Sequence, residues 1–194
     1  LLDQGERVLR REARAVNGLM LHKRAYVEYV PVGVVGVIIP WNFPVHNTLA
    51  HVVTALMAGN AVVVKGSEYG AWSSVYLQRL LHALLRATGH SPELVQLVNG
   101  YAATGAALVA SADKVLFIGS PPVGRAVMRA AADTLTPVTL ELGGKDALIV
   151  CEDANVPHAV QMALKGAFFN CGQNCIAAER VYVFDAVYGR FVAE

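Results

Sequence analysis

Residues 34–65 read VVGVIIPWNFPVHNTLAHVVTALMAGNAVVVK, and this stretch decides the fold. A β-branched apolar run ends at Ile39. A polar break follows, and then a segment of helical length from Pro44 to Ala58. Pro44 suits a first helical turn, where the missing N–H has no intrahelical acceptor to lose. A second apolar run, Ala61 to Lys65, closes the unit. Both runs are continuously apolar rather than alternating, the pattern of strands covered on both faces. Strand, helix, strand is a βαβ unit.

The same rhythm extends outward. Leu2 to Val16, rich in Arg and Glu, reads as a surface helix. Ala25 to Ile39 reads as strand with a Pro-Gly interruption. Helices are expected at Trp72–Thr88 (closed by Gly89), Ala103–Ser111, Pro122–Ala132 and Val156–Phe169. Strands are expected at Leu94–Val98, Val115–Ile118, Val138–Leu142, Ala147–Val150 and Ile176–Phe184. The fold class is α/β, a doubly wound sheet with ligands at the carboxyl ends of its strands. Its regular rhythm stops near Leu142-Gly143-Gly144-Lys145. The expected division is residues 1–142 and 143–194.

Composition narrows the function. Of 194 residues, 55% are apolar types and 16% charged, which excludes a disordered chain. Net charge is +1, so no electrostatic footprint for nucleic acid exists. Three cysteines, Cys151, Cys171 and Cys175, are too few for a disulfide framework and point to a reducing compartment, the cytoplasm. The longest apolar candidate for a membrane span, Tyr29 to Ile39, is too short. No signal peptide is legible. A start at Leu1 and an end just after a strand read as a fragment cut from a larger protein.

Five features carry chemistry. Gly119-Ser120, between a strand and a helix, places a hydroxyl and free N–H groups where an anion binds. The spacing to Gly124 is neither G-x-G-x-x-G nor a P-loop, and a plain turn is the ordinary alternative. Lys65 and Glu68 leave a strand end together and could hold ribose hydroxyls, or simply be a solvated loop. Cys175, on a Gly- and amide-rich loop, could be a nucleophile, or a buried inert thiol. A helix C-terminus precedes it, so activation must come from elsewhere. Cys171 and Cys175 alone make a poor zinc site, and no metal is expected. Glu141, flanked by Leu140 and Leu142, is expected to be desolvated and so suited to general-base work, or else paired with Lys145. Asn42 could donate to an oxyanion or cap the following helix.

Together these motifs resemble the aldehyde dehydrogenase superfamily from about Tyr26 to Phe191. The stretches are Pro40-Trp41-Asn42-Phe43-Pro44, Ala58-Gly59-Asn60, Lys65-Gly66-Ser67-Glu68, Phe117-Ile118-Gly119-Ser120, Glu141-Leu142-Gly143-Gly144-Lys145 and Phe169-Asn170-Cys171-Gly172-Gln173-Asn174-Cys175. Val45-His46-Asn47 and Lys65 to Trp72 are similar to a plant-type branch. The resemblance implies a Rossmann-like cofactor domain followed by the beginning of an α/β catalytic domain. It implies oxidation of a small-molecule aldehyde to a carboxylic acid with NAD, NADP being disfavoured by Glu68.

By the same resemblance, Cys175 is the nucleophile that forms a thiohemiacetal and then a thioester. Asn42 and the Cys175 N–H are the oxyanion hole, and Glu141 is the base for hydrolysis. Lys65 and Glu68 contact the adenosine ribose, and Gly119 and Ser120 the pyrophosphate. Ile39, Trp41, Gly124 and Leu142 complete the cofactor contacts. A homo-oligomeric parent is implied too.

Three departures stand out. Gly66 replaces a common Pro and is expected to loosen its loop. His51 stands where many members carry Lys, which puts a proton relay in doubt. The second Glu-Phe cofactor motif lies beyond residue 194, so the chain alone is expected to be inactive. Two other readings remain open: an acylating aldehyde dehydrogenase, against which Glu141 argues, and an inactive nucleotide-binding fragment.

Overall fold

The computed structural model describes residues 4–194. The region before the first long strand departs from expectation. A short helix α1, Gly5–Val8, gives way to strand β1, Glu12–Arg14, which pairs antiparallel with β2, Ala25–Val27. Residues 2 and 3 of the expected Leu2–Val16 helix lie outside the described part; Gly5–Val8 is helical, but Glu12–Arg14 is strand. The physical reason is legible afterwards. Cross-strand charge pairing (Arg11 to Glu28 at 2.8 Å) and the Arg11 guanidinium 3.7 Å from the Tyr26 ring centroid favour the ribbon.

The doubly wound core follows. Strand β3, Val34–Ile38, leads to helix α2, Pro44–Met57, and to β4, Ala61–Lys65. Helix α3, Ala71–Ala87, and β5, Val95–Val98, continue on one side. After α4, Ala102–Ser111, come β6, Lys114–Gly119, helix α5, Pro121–Ala132, and β7, Val138–Leu142. The sheet order is β5-β4-β3-β6-β7. Pairing is parallel for β3 with β4, β3 with β6 and β4 with β5. Sequence order reverses between β3 and β6, a topological switch point.

Alternation along β3 builds two interiors. Val37 and Ile39 join the cluster formed with Val52, Leu77 and Leu81 of α2 and α3. Ile38 faces the other way, with Leu108, Val109, Phe117 and Val127. Each face of the sheet is thus sealed by helices, as the continuous apolar runs require.

The second unit comprises Leu142–Glu194 with Gly119–Pro121. Strand β8, Asp146–Val150, pairs parallel with β9, Ala178–Val183, joined through α6, Val156–Phe168. The chain then forms helix α7, Asp185–Ala193, which the sequence reading missed by ending on a strand. Asp185 in its first turn suits the positive end of the helix. No helix of the described residues is long and apolar enough to cross a membrane.

Candidate active site

Strand β4 delivers Lys65 at its carboxyl end, where the residue is 8% exposed. Its neighbours fix the backbone there. The Ile39 N–H donates to the Lys65 carbonyl at 3.1 Å, and the Gly66 N–H to the Val98 carbonyl at 3.2 Å. The Lys65 ammonium reaches Glu68 Oε2 at 3.3 Å, which partners a cation that burial would otherwise penalise. Glu68 stands in a 3₁₀ turn begun by Ser67, whose Oγ accepts from the Tyr69 N–H. Hydrogen bonding from its own backbone N–H, then the Lys65 ammonium and Ser67, hold the Glu68 carboxyl below its usual range against desolvation.

The expectation of a loosened loop at Gly66 is overturned. A Cβ at this position would collide with Ser74 Oγ of α3, so the turn is pressed against the helix. A proline here could not donate to Val98.

Beside Lys65 a cavity of about 260 Å³ opens between α4 and α5. Ile38, Phe117 and Val109 form its floor, and Gly105, Ala106 and Ala126 keep its walls thin. These are slot dimensions suited to one flat heterocycle rather than a large ligand. Sequence reasoning placed Ile39 in a cofactor cleft, but its side chain, 4% exposed, belongs to the opposite face of the sheet. Strand alternation assigns the cavity to Ile38. The cavity itself was missed. Its signal was the run of small residues from Ala102 to Ala106, together with Val123, Ala126, Val127 and Ala130 at helical spacing.

Trp41 is about half exposed after β3. Asn42 follows it, and Phe43 occupies the N-cap of α2. Asn42 heads a groove of about 680 Å³ along the outward side of α2, lined by Phe43, His46, Leu49, Ala50 and Val53. Helix α2 carries no Asp, Glu, Lys or Arg. His51 lies on the same helix. Burial first, then His46, hold its imidazole below the usual range, while Glu141 pulls it up. Glu141 is therefore an electrostatic neighbour of His51. It is exposed at the end of β7, so the expected desolvation by Leu140 and Leu142 does not occur. Its neighbours along the strand point away from it, as pleating requires.

Gly119 ends β6, Ser120 follows, and Gly124 is buried in α5. Leu142 begins the strap Leu142-Gly143-Gly144-Lys145, and Lys145 pairs with Glu179 at 2.8 Å, not with Glu141. In the same unit, α6 ends in a 3₁₀ turn, Phe169–Gly172. Asn170, Cys171 and Gly172 adopt left-handed φ of 53°, 58° and 74°. Two consecutive non-glycine residues in that region are costly and recur where a loop is held for use. Cys175 lies just beyond, exposed, its thiol 3.8 Å from the Asn174 amide oxygen. The Cys175 thiol is not buried. A Cβ on Gly144 would clash with Asp146 and would stand 3.5 Å from the Cys175 carbonyl oxygen. The strap therefore runs beside the cysteine turn, and it is Asp146 that leaves no room for a Cβ at Gly144. Among the described residues no group of three His, Cys, Asp or Glu could hold a metal ion.

The aldehyde dehydrogenase family model matches residues 4–194. The chain belongs to the aldehyde dehydrogenase family. It is 40% identical to an aldehyde dehydrogenase-like protein of Schizosaccharomyces pombe, covering 100% of this chain and 37% of that protein. An NAD+ complex of an aldehyde dehydrogenase from Bacillus cereus superposes with a TM-score of 0.85 at 35% identity, over 97% of this chain and 38% of the other. An NADP-dependent enzyme of E. coli does so with 0.87 at 35% identity, over 98% and 39%. The chain spans well under half the length of these relatives. Asn42, Lys65, Glu68 and Glu141 fall in the first unit and Cys175 in the second.

Proposed function

We propose that the complete protein oxidises an aldehyde to a carboxylic acid with a nicotinamide dinucleotide, through a thioester on Cys175. The observation that carries this reading is the exposed Cys175 thiol, on a turn beside the glycine strap that continues from Glu141. The chemistry of the donor set favours the cofactor. The Lys65–Glu68 pair offers a donor and an acceptor to ribose hydroxyls, and the adjoining slot suits a flat base. The Gly119-Ser120 turn before α5 suits a pyrophosphate through the Ser120 hydroxyl and the helix dipole, since Pro121 and Pro122 offer no N–H, with Gly124 small enough for close approach. By the family resemblance, Ile39, Trp41 and Leu142 are further cofactor contacts. When bound, the nicotinamide ring accepts the hydride that leaves the substrate carbon.

The protein's own residues do the rest. The Cys175 thiolate attacks the aldehyde carbon, forming a C–S bond. Asn42 and the Cys175 N–H donate to the oxygen that becomes negative. After hydride loss the carbon is a thioester. Glu141 takes a proton from water, the hydroxide equivalent attacks, and the C–S bond breaks. The products are a carboxylic acid and the free thiolate. The uncharged groove of α2 takes the aldehyde's tail, so apolar aldehydes are favoured over charged ones.

NAD is preferred to NADP. The Glu68 carboxylate accepts from a ribose 2′-hydroxyl and repels a 2′-phosphate. The test is the full-length enzyme assayed with an apolar aldehyde and each cofactor. Stoichiometric reduced cofactor and carboxylate, with kcat/KM higher for NAD, are expected. No aldehyde-dependent reduction with either cofactor refutes the reading.

A further inference from the structure

Strand β9 carries an irregularity directly after the cysteine turn. Asp146 is paired with Ala178, but Ala147 is paired with Arg180, so Glu179 is an extra residue, a bulge. Successive strand side chains normally point to opposite faces. The bulge lets both Glu179 and Arg180 reach one residue, Lys145. The Glu179 carboxylate takes the Lys145 ammonium at 2.8 Å, and Arg180 Nε donates to the Lys145 carbonyl at 2.7 Å. Tyr182, two residues on, holds the guanidinium from behind. Arg180 donates to its hydroxyl at 3.4 Å and stands 5.8 Å from its ring centroid. Lys145 is thus gripped at both its side chain and its backbone. The residue before it, Gly144, neighbours the cysteine turn: a Cβ there would stand in ordinary contact, 3.5 Å, with the Cys175 carbonyl oxygen.

We infer that Glu179 and Arg180 form a clamp on Lys145 that holds Gly144 against the Cys175 turn, making Arg180 a positioning residue for thiol attack. The inference rests on the thioester reading above. Bulges recur beside active sites because they re-aim side chains, and the gripped strap has glycines where it needs an external hold. A charged donor to a carbonyl fixes the strap more firmly than the surface ion pair does. Without Arg180 the strap drifts, the cysteine turn gains freedom, and the Cys175 N–H loses its aim at the developing oxyanion.

The experiment is rapid-mixing measurement of the first turnover in the full-length enzyme. Arg180→Ala should slow the burst of reduced cofactor about ten- to a hundred-fold. Arg180→Lys should recover part of that loss. Glu179→Gln, which removes only the exposed ion pair, should slow the burst no more than about five-fold. Two readouts separate positioning from general damage. The cofactor dissociation constant, measured without aldehyde, should change far less than the burst rate, because the Lys65–Glu68 pair and the slot beside it are untouched. Alkylation of Cys175 by iodoacetamide should stay within about two-fold of wild type, since that small reagent needs no oxyanion hole. A wild-type burst rate in Arg180→Ala overturns the clamp. So does a parallel loss of burst, cofactor binding and melting temperature in Arg180→Ala with no burst defect in Glu179→Gln. A wild-type enzyme without any burst overturns the thioester reading instead.

Discussion

The two units share one alternation of strand and helix, yet their interiors differ. In the first, five strands carry an apolar cluster on each face, and Val52, Val62, Val64, Val95 and Val115 are essentially inaccessible. In the second, two strands bury a cluster centred on Val150, Val156 and Val187, while Ile149 and Tyr182 remain 64% and 53% exposed. A pair of strands has too little face to shield itself, and stability then needs further partners. The contrast has a functional side. Lys65, Glu68 and the slot beside them sit on finished packing, while Cys175 stands on a turn held mostly by backbone geometry and by the clamp on Lys145. Binding and reaction should therefore be separable by mutation.

The strongest attempt to break this separation is Cys175→Ala in the full-length enzyme. Aldehyde oxidation should fall by on the order of 10³-fold or more, while cofactor binding is retained. Cys171→Ala should keep most activity; equal losses would assign the two cysteines a joint role. Lys65→Met probes the other unit. It leaves Glu68 without its cation and should weaken cofactor binding about ten-fold or more, with little change in the burst rate once cofactor saturates.

Amide hydrogen exchange on the 194-residue chain sharpens the structural half of the comparison. Protection should be high in β3, β4 and β6 and low in β9, whose outward edge is open. The same chain should show no aldehyde turnover. Similar protection in β9 and β4 would erase the contrast.

The smallest effect expected is a pH dependence of stability from His51. Its folded value lies below the unfolded one, so the folded state resists protonation. Stability should be full above about pH 6.5 and decline as pH falls below it. His51→Gln should flatten that part of the melting-temperature profile. A profile unchanged by the substitution would mean that His51 does not titrate against the fold.

Much of the architecture was legible because burial on both sheet faces writes itself as continuous apolar runs. Val62-Val63-Val64 and Val115-Leu116-Phe117 leave little alternative. The terminal regions were harder. Arg7, Arg10, Arg11 and Arg14 suggest one charged helix, but the helix stops at Val8 and Glu12–Arg14 pair with Ala25–Val27 instead. The apolar stretch through Tyr182, Val183 and Phe184 hid the start of α7. Among the candidate site residues, Lys65, Glu68, Asn42 and Cys175 were proposed from the letters alone, but parity along a strand is lost without register. Ile38 and Ile39 are chemically the same, and the fold assigns them to opposite faces. Glu141 misled for a related reason: apolar neighbours in sequence do not bury a residue when pleating turns them away. The glycine at position 66 looked permissive, whereas its N–H is bonded and its α-hydrogen faces α3. The grip on Lys145 depends on a one-residue bulge that no local pattern announces.

The central claim is a thioester on Cys175 that Glu141 helps water to hydrolyse. Its most direct test is mass spectrometry of the full-length Glu141→Gln enzyme, quenched during turnover with NAD and an apolar aldehyde, then digested. The account predicts that the acyl group accumulates on the peptide carrying Cys175, after a single burst of reduced cofactor. An acyl group on Cys171 or Cys151, or a burst without any acylated peptide, would contradict it.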